Sequence, residues 1–188
     1  MKLWFRLLWV LLSYRGRPKL KITDVGRRKF RVWPTDIDIF GHMNNGIYLT
    51  LMDVARFDLL KRTGAWGMCA RAKVHPVVVG ETVTFRKELK PWKTFEVETG
   101  VLGWNDIAFF IRQRFVVDGQ IHAEAVVRLR FLKSPKGIPT PDEVLEIMGG
   151  WDAPRPELPE WIHEWEKSVA LPKGREDTPS LWPGRRVG

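Results

Sequence analysis

The sequence predicts an α+β fold in which a five-stranded antiparallel sheet wraps around one long central helix. Three observations carry this prediction. A strand at 28–33 precedes a long apolar helix at 46–62, and after Val74 the hydrophobic residues recur at every second position over four strands. A helix with few polar positions must be buried, and strands with one apolar face can cover it from one side. One strand, one buried helix and four consecutive strands together define an α+β domain.

The first strand is expected to end at Pro34, because proline cannot donate a hydrogen bond to a neighbouring strand. The helix that follows is expected to begin near Gly46, capped by the side chain of Asn44 or Asn45, and to end at Gly64. Few polar residues interrupt it: Thr50, Asp53, Arg56 and Asp58. The helix is therefore the centre of the predicted core.

Four strands follow a connector for which the pattern defines no structure. Asp118-Gly119 marks a hairpin turn before the last strand, and that strand alternates most regularly, at 121–131. An open sheet leaves two edge strands, which proteins often pair with a second copy of the chain. We therefore expect a homodimer, and the sequence leaves open whether dimers pair into a tetramer.

Four segments make up the predicted domain organisation. A basic apolar arm at 1–24 precedes the sheet-and-helix domain at 25–135. A proline-rich extension with short helices follows at 136–170, and a disordered tail is expected at 171–188.

The positive charge of the chain is concentrated in the arm and the first strand. The formal net charge is +9, and through Trp33 ten basic residues stand against one acidic residue, whereas the remainder is balanced. A nucleic-acid binder usually spreads its basic residues over the folded surface. We therefore expect no nucleic-acid partner.

The apolar run at 3–12 is too short to span a bilayer. Its tryptophans and leucines, with basic residues after them, suit a helix lying on an anionic membrane surface, with residues 1–21 as the contact. An extra helix packed on the domain is the alternative. Arg6 interrupts the apolar run and so argues against a cleaved signal peptide.

Cys69 is the single cysteine, which excludes a disulfide framework within the chain and suits the reducing cytoplasm. We expect a cytoplasmic protein, attached peripherally to the membrane if the arm binds it. His75, His122 and His163 have no spacing typical of a metal site. We therefore expect no metal and no cofactor.

The turn before the helix combines two carboxylates with a helix start. Its motif reads Asp36-x-Asp38-x-x-Gly41-His42-x-Asn44-Asn45-x-x-Tyr48, followed by Asp53-x-x-Arg56. With Arg31-Val32 before it, this motif closely resembles that of the hotdog-fold acyl-CoA thioesterases of the 4-hydroxybenzoyl-CoA thioesterase group. The stretches 49–60 and 79–86 resemble the subgroup related to thioesterase superfamily member six. The resemblance covers residues 27–131.

This resemblance implies a fold, an activity and a site. In the family a sheet wraps a central helix, active sites lie at the dimer interface, and substrates are acyl-CoA or acyl-carrier thioesters. Asp38 matches the catalytic carboxylate, and the backbone N–H groups near Asn45 and Gly46 match the oxyanion hole. Some relatives carry a histidine where this chain has Asn45. Others use a helical glutamate in the region that Asp53 occupies here.

Four further side chains are candidates for contacting substrate or orienting Asp38: His42, Asn44, Tyr48 and Asp53. Each also has a structural interpretation. A histidine in a turn is commonly a hydrogen-bonded scaffold residue, and an asparagine before a helix is commonly its cap. Tyr48 is expected in the core, and Asp53 can form a helix ion pair with Arg56. Asp36 is expected to be structural, in an Asx-type turn.

The predicted function is hydrolysis of a fatty acyl-CoA thioester, with a carboxylate as base or nucleophile and an oxyanion hole at the helix N-terminus. The helix and the inward face of the sheet are expected to form a groove for the acyl chain. The alternative is a non-catalytic acyl-lipid-binding or membrane-associated scaffold protein of the same fold. Neither the acyl chain length nor the choice between coenzyme A and acyl carrier protein follows from the sequence.

Overall fold

The computed structural model describes residues 3–172, with side chains from Phe5 onward. Most of the predicted tail and the side chain of Trp4 therefore lie outside the described residues. The chain divides into two compact units, Met1–Glu157 and Leu158–Gly188. The first unit contains the whole sheet, and the described part of the second contains one helix, α5 (Glu160–Ser168).

Five strands form one antiparallel sheet, as predicted. They are β1 (Gly26–Arg31), β2 (Val74–Phe85), β3 (Thr94–Trp104), β4 (Phe109–Val117) and β5 (Gln120–Lys133). Their order across the sheet is β1-β3-β4-β5-β2, so β1 and β2 are the two edges. The first strand begins and ends two residues earlier than the pattern predicted. The α+β prediction is confirmed.

Two turns set the limits of β4. Asp118 and Gly119 after it have φ values of 49° and 76°, the geometry of the tight hairpin turn that an Asp-Gly pair favours. Before it, Asn105 Oδ1 accepts hydrogen bonds from the N–H groups of Ile107 and Ala108. This second turn occupies residues 105–108, so β4 begins at Phe109.

The central helix, α2 (Asn45–Arg62), packs against β1 and β3. Its apolar residues and the inward residues of the strands form one core. Tyr48 lies in this core between Phe85 and Phe115, with ring centroids 4.9 and 4.8 Å from its own. Gly64, at φ 78°, follows the helix in the left-handed conformation expected after a helix end.

Buried charges also belong to the helix, near its C-terminal end. Asp58 is buried and lies 2.5 Å from Arg17 Nη1, 3.0 Å from Arg28 Nη1 and 3.6 Å from Arg62 Nη1. Arg17 lies in the arm, Arg28 lies on β1 and Arg62 lies in the last turn of α2. One carboxylate therefore joins three segments of the fold.

Three shorter helices complete the first unit: α1 (Leu3–Ser13), α3 (Ala65–Arg71) and α4 (Pro141–Ile147). The helix α3 fills the connector for which the sequence pattern defined no structure. The helix α1 packs on α2, with Val10 and Arg6 buried, while Leu8 and Leu12 are 51% and 73% exposed. Among the described residues, no helix is both long and apolar enough to cross a bilayer.

Candidate active site

The turn between β1 and α2 is a loop closed by its own backbone. Ile37 and Met43 form an antiparallel bridge across its base. Within the loop, the N–H of Asp38 donates to His42 O at 3.0 Å, and the N–H of Gly41 donates to Asp38 O at 3.1 Å. Gly41 has a φ of 82°, which glycine adopts at little cost. These local bonds hold the main chain of Asp38 in place.

The Asp38 carboxylate is held by two neighbours and is partly exposed. Its Oδ1 accepts a hydrogen bond from the N–H of Phe40 at 2.9 Å, and its Oδ2 lies 3.3 Å from His42 Nδ1. The side chain is 18% exposed, and no lysine or arginine within residues 3–172 forms an ion pair with it. A carboxylate that solvent reaches and no fixed cation neutralises can act as a base or a nucleophile.

The first turn of α2 begins where this loop ends. Asn44 is the N-cap: its Oδ1 accepts the N–H of Gly46 at 2.9 Å, and its own N–H donates to Asp36 O at 2.8 Å. The N–H of Gly46 is therefore already engaged. No residue in the described part of the chain accepts a hydrogen bond from the N–H of Asn45. This N–H is the first free donor at the positive end of the helix dipole.

The two carboxylates of the motif have different surroundings, and the Asx-type turn predicted at Asp36 is wrong. Asp36 is 1% exposed, and its Oδ2 accepts hydrogen bonds from Arg6 and, at 2.9 Å, from the N–H of Trp33. The bond to the residue two positions ahead is made by Asp38 instead. A guanidinium binds a carboxylate more strongly than a peptide N–H does, so Asp36 turns inward toward α1. Its role is structural, as expected.

Asp53 does not join this site. It is 66% exposed and is bound by Arg56, whose Nη1 also donates to Gln113 Oε1 at 2.6 Å. Asp53 follows Asn45 by eight residues, which at about 1.5 Å per residue places it about 12 Å along the helix axis. The helix ion pair, one of the two roles expected for Asp53, is present.

Two other ionisable side chains are buried and unsuited to acid–base work. Burial raises the pKa of Tyr48 to about 12, so its hydroxyl stays neutral at physiological pH. Burial also raises the pKa of the Cys69 thiol, which disfavours the thiolate. Within residues 3–172, no group of three His, Cys, Asp or Glu side chains is placed to hold a metal ion.

The expected groove between helix and sheet is filled by side chains within this chain. Leu51, Met52 and Val54 are at most 1% exposed. An apolar cavity of about 300 Å³ lies near the other end of α2, lined by Leu60 and Phe131 among others, and it does not reach Asp38. A groove for an acyl chain beside Asp38 is therefore not complete in one copy of the chain.

The sequence did not identify the partner of Asp36. Arg6 stands in an otherwise apolar run, where its charge served to argue against a signal peptide. The same interruption carried a second signal, because a charge on the buried face of a helix needs an opposite charge beside it. Which carboxylate supplies that charge depends on contacts 30 residues apart, so no local pattern points to Asp36.

An antiparallel sheet wrapped around a central helix, with a reachable carboxylate beside the start of that helix, defines the hotdog class of thioesterase folds. Comparison with solved structures agrees with this fold. The solved structure of the gentisyl-coenzyme A thioesterase BH1999 superposes with a TM-score of 0.57, covering 64% of this chain and 98% of that one. At 19% identity, this likeness concerns the fold.

Sequence comparison gives the family. The model of the Thioesterase-like superfamily matches residues 32–165, and the chain belongs to that superfamily. Protein THEM6 of Xenopus laevis is 35% identical over 138 residues, which cover 72% of this chain and 64% of that protein. Protein THEM6 of Danio rerio is 32% identical over 143 residues, which cover 74% of this chain and 68% of that protein. The chain thus matches just under two thirds of the Xenopus protein.

Proposed function

We propose that the protein is an acyl-CoA thioesterase that hydrolyses fatty acyl thioesters, with Asp38 as the catalytic carboxylate. The observation that carries this proposal is the environment of Asp38, which is partly exposed, close to the start of α2 and free of any lysine or arginine partner among the described residues. Membership of the Thioesterase-like superfamily supports thioester hydrolysis as the reaction.

Two routes are open to this carboxylate. In the first, Asp38 takes a proton from a water molecule while the water oxygen attacks the thioester carbonyl carbon. The tetrahedral intermediate then expels the coenzyme A thiolate, which takes up the proton held by Asp38. In the second, Asp38 attacks that carbon itself, the thiolate leaves, and water then hydrolyses the mixed anhydride. In both, negative charge develops on the carbonyl oxygen, where the N–H of Asn45 and the dipole of α2 stabilise it. The N–H of Gly46 becomes a second donor if its hydrogen bond to the Asn44 side chain breaks.

The neighbouring residues position these groups. With a proton on Nδ1, His42 donates a hydrogen bond to Asp38 Oδ2, 3.3 Å away, and this bond orients the carboxylate. Asn44 holds the first turn of α2 through its bond to Gly46. Tyr48 supports that turn from the core through its contacts with Phe85 and Phe115.

The first experiment measures hydrolysis by the purified full chain on acyl-CoA substrates from acetyl-CoA to palmitoyl-CoA. Asp38→Asn is expected to lower kcat by about 10²–10⁴-fold, the range of general-base catalysis. Asp106→Asn, an exposed residue in the turn between β3 and β4, serves as the control with unchanged activity. Absence of turnover on every substrate refutes the proposal. A loss in Asp53→Asn together with normal activity in Asp38→Asn assigns the reaction to the helical acid.

Isotope labelling can reveal the nucleophilic route. Under single-turnover conditions in ¹⁸O-water, labelled oxygen in the Asp38 carboxylate, which mass spectrometry of the peptide detects, requires a mixed anhydride that water opens at the Asp38 carbonyl. Label in the released fatty acid alone is the result for a general base, and also for an anhydride that water opens at the fatty acyl carbonyl.

We infer that the working form is a homodimer that completes the acyl groove. The edge strand β2 exposes Val78, Val79 and Phe85 at 44–45%, and the tip of the Asp38 loop exposes Ile39 at 93% and Phe40 at 77%. Exposed apolar side chains on a sheet edge and on a loop favour association. Light scattering of the wild type is expected to give a dimer, or a tetramer if dimers pair further. Val79→Lys is expected to shift the dimer, or the tetramer, toward monomer and to lower the hydrolytic activity in parallel.

We also propose a peripheral contact of α1 with anionic membranes. Its outer residues Leu8, Leu11 and Leu12 are 51%, 36% and 73% exposed and lie next to a strongly basic segment. Co-sedimentation with phosphatidylglycerol vesicles is expected for the wild type and not for Leu8→Glu/Leu12→Glu. Ile107→Glu, at an exposed apolar position between β3 and β4, is the matched control. Such a contact suits a cytoplasmic protein that works at the membrane surface.

The non-catalytic alternative draws on one observation, the engagement of the Gly46 N–H by Asn44. A protein of this kind binds acyl-CoA without hydrolysing it. Calorimetric titration with palmitoyl-CoA distinguishes the two, because saturable binding with no release of free coenzyme A supports the alternative.

A further inference from the structure

A second apolar cavity lies beside the edge strand β1 and reaches Thr94 at the start of β3. It has a volume of about 580 Å³, within the range of roughly 300–1,000 Å³ typical of small-molecule sites, and it lies between α1 and β1. Four aromatic side chains contribute to its lining: Phe5, Trp9, Phe30 and Trp33. Neither Asp38 nor His42 lines it, so this cavity is separate from the candidate active site.

The lining residues carry three positive charges and no negative one. Lys29 and Arg31 are exposed on β1, and Arg6 is buried on α1. Lys29 Nζ lies 4.0 Å from Glu96, and Arg31 Nε donates to the carbonyl oxygen of Trp92 at 3.1 Å. The charge of this cavity is therefore complementary to an anion.

Arg6 contributes a buried hydrogen-bond donor to the lining of this cavity. Its side chain is 2% exposed, and its Nη2 donates to Asp36 Oδ2. Its Nη1 is also buried, and none of the residues 3–172 accepts a hydrogen bond from it. A buried donor without an acceptor is costly, and an anionic group that entered the cavity and reached Arg6 would remove that cost.

We propose that this cavity binds a fatty carboxylate. The acyl chain lies against Phe5, Trp9, Phe30 and Trp33, and the carboxylate is directed to the cationic groups of Arg6, Lys29 and Arg31. Guanidinium groups bind carboxylates through charge-assisted hydrogen bonds, and aromatic walls favour an apolar chain. The proposal does not depend on the proposed thioesterase activity, because it requires binding and no turnover.

The test measures displacement of a fluorescent fatty acid from the full chain by myristate and by tetradecanol, its neutral counterpart. Myristate is expected to displace the probe at a concentration about tenfold or more below that of tetradecanol, since the charged hydrogen bonds belong to the carboxylate alone. The variant Lys29→Glu/Arg31→Glu is expected to weaken myristate binding by about tenfold or more, because two cations are replaced by anions that repel the carboxylate.

Arg27→Glu is the matched control for this variant. Arg27 is exposed on the same face of β1 as Lys29 and Arg31 but does not line the cavity, so myristate binding is expected to stay at the wild-type value. Circular dichroism confirms that each variant is folded. Three results overturn the proposal: equal displacement by myristate and tetradecanol, equal weakening in Arg27→Glu, and binding to phosphatidylglycerol vesicles with none to myristate. The last result leaves the outer face of α1, with Leu8 and Leu12, as the lipid contact.

Discussion

The two ends of α2 contrast in how their carboxylates are held. At the N-terminal end, Asp38 is bound by the N–H of Phe40 and faces His42, both within four residues of it in the chain. At the C-terminal end, Asp58 is buried among Arg17, Arg28 and Arg62, two of which come from distant segments. One carboxylate has local partners and reaches solvent, and the other has long-range partners and does not.

This difference separates reactivity from stability along a single helix. Local bonds hold Asp38 in place without neutralising its charge, so it remains available to a substrate. The cluster around Asp58 joins the arm, β1 and α2 by charge pairs that the interior strengthens, although burial lowers the pKa of Arg28. A cluster of four charged residues therefore lies at the end of the helix opposite to the proposed chemistry.

The largest effect is expected from Asp58→Ala. This change leaves Arg28 and Arg62 buried with no carboxylate between them, and breaking a buried ion pair in this way costs about 3–5 kcal/mol. Urea unfolding followed by circular dichroism measures the loss. Glu88→Ala is the control, because Glu88 forms an ion pair with Lys90 in which both side chains are exposed, and its expected cost is about 1 kcal/mol or less. Equal losses in the two variants would show that the buried cluster around Asp58 contributes no more than an exposed ion pair.

A smaller but still large effect is expected from Arg6→Met, which removes a buried, long-range charge pair near the N-terminal end of α2. The buried Asp36 carboxylate then loses its guanidinium, at a cost of about 3 kcal/mol. The double variant Arg6→Met/Asp36→Asn is expected to recover part of this loss, since it removes both charges together. Strict additivity of the two single changes would show that the pair contributes no coupling.

Asn44→Ala is expected to cost about 1 kcal/mol, the usual value of an N-cap side chain, because the N–H of Gly46 loses its acceptor. The same change frees that N–H for an oxyanion, so activity per folded molecule is expected to fall less than stability suggests. Asn44→Asp restores the acceptor and is expected to restore stability. A loss that Asn44→Asp does not repair would exclude capping as its cause.

The smallest effect on stability is expected from Asp38→Asn, within about 0.5 kcal/mol of the wild type. An asparagine oxygen still accepts the N–H of Phe40, so the loop keeps its main-chain bonds. Thermal unfolding and the hydrolysis assay on the same preparation test this expectation together. A large loss of stability would mean that Asp38, like Asp58, serves the fold.

The fold was predictable because its main signals are periodic. The helix α2 began within one residue of its predicted start, and the hairpin at Asp118-Gly119 was found where that pair predicts it. The loop of Asp38, His42 and Asn44 was also predictable, since its hydrogen bonds join residues close in sequence. The contacts of Asp36 with Arg6 and of Asp58 with Arg17 and Arg28 were not, because they join residues at least 30 positions apart.

The sequence alone is enough to predict the five-stranded sheet, the buried helix and the position of Asp38 beside the helix start. All three follow from side-chain spacing and turn chemistry, which act over a few residues. The tertiary structure decided which carboxylates are neutralised and where cavities remain. It filled the space between α2 and the sheet, paired Asp36 with Arg6 and left an apolar cavity beside β1. Burial and charge pairing depend on three-dimensional proximity, which no short stretch of sequence contains.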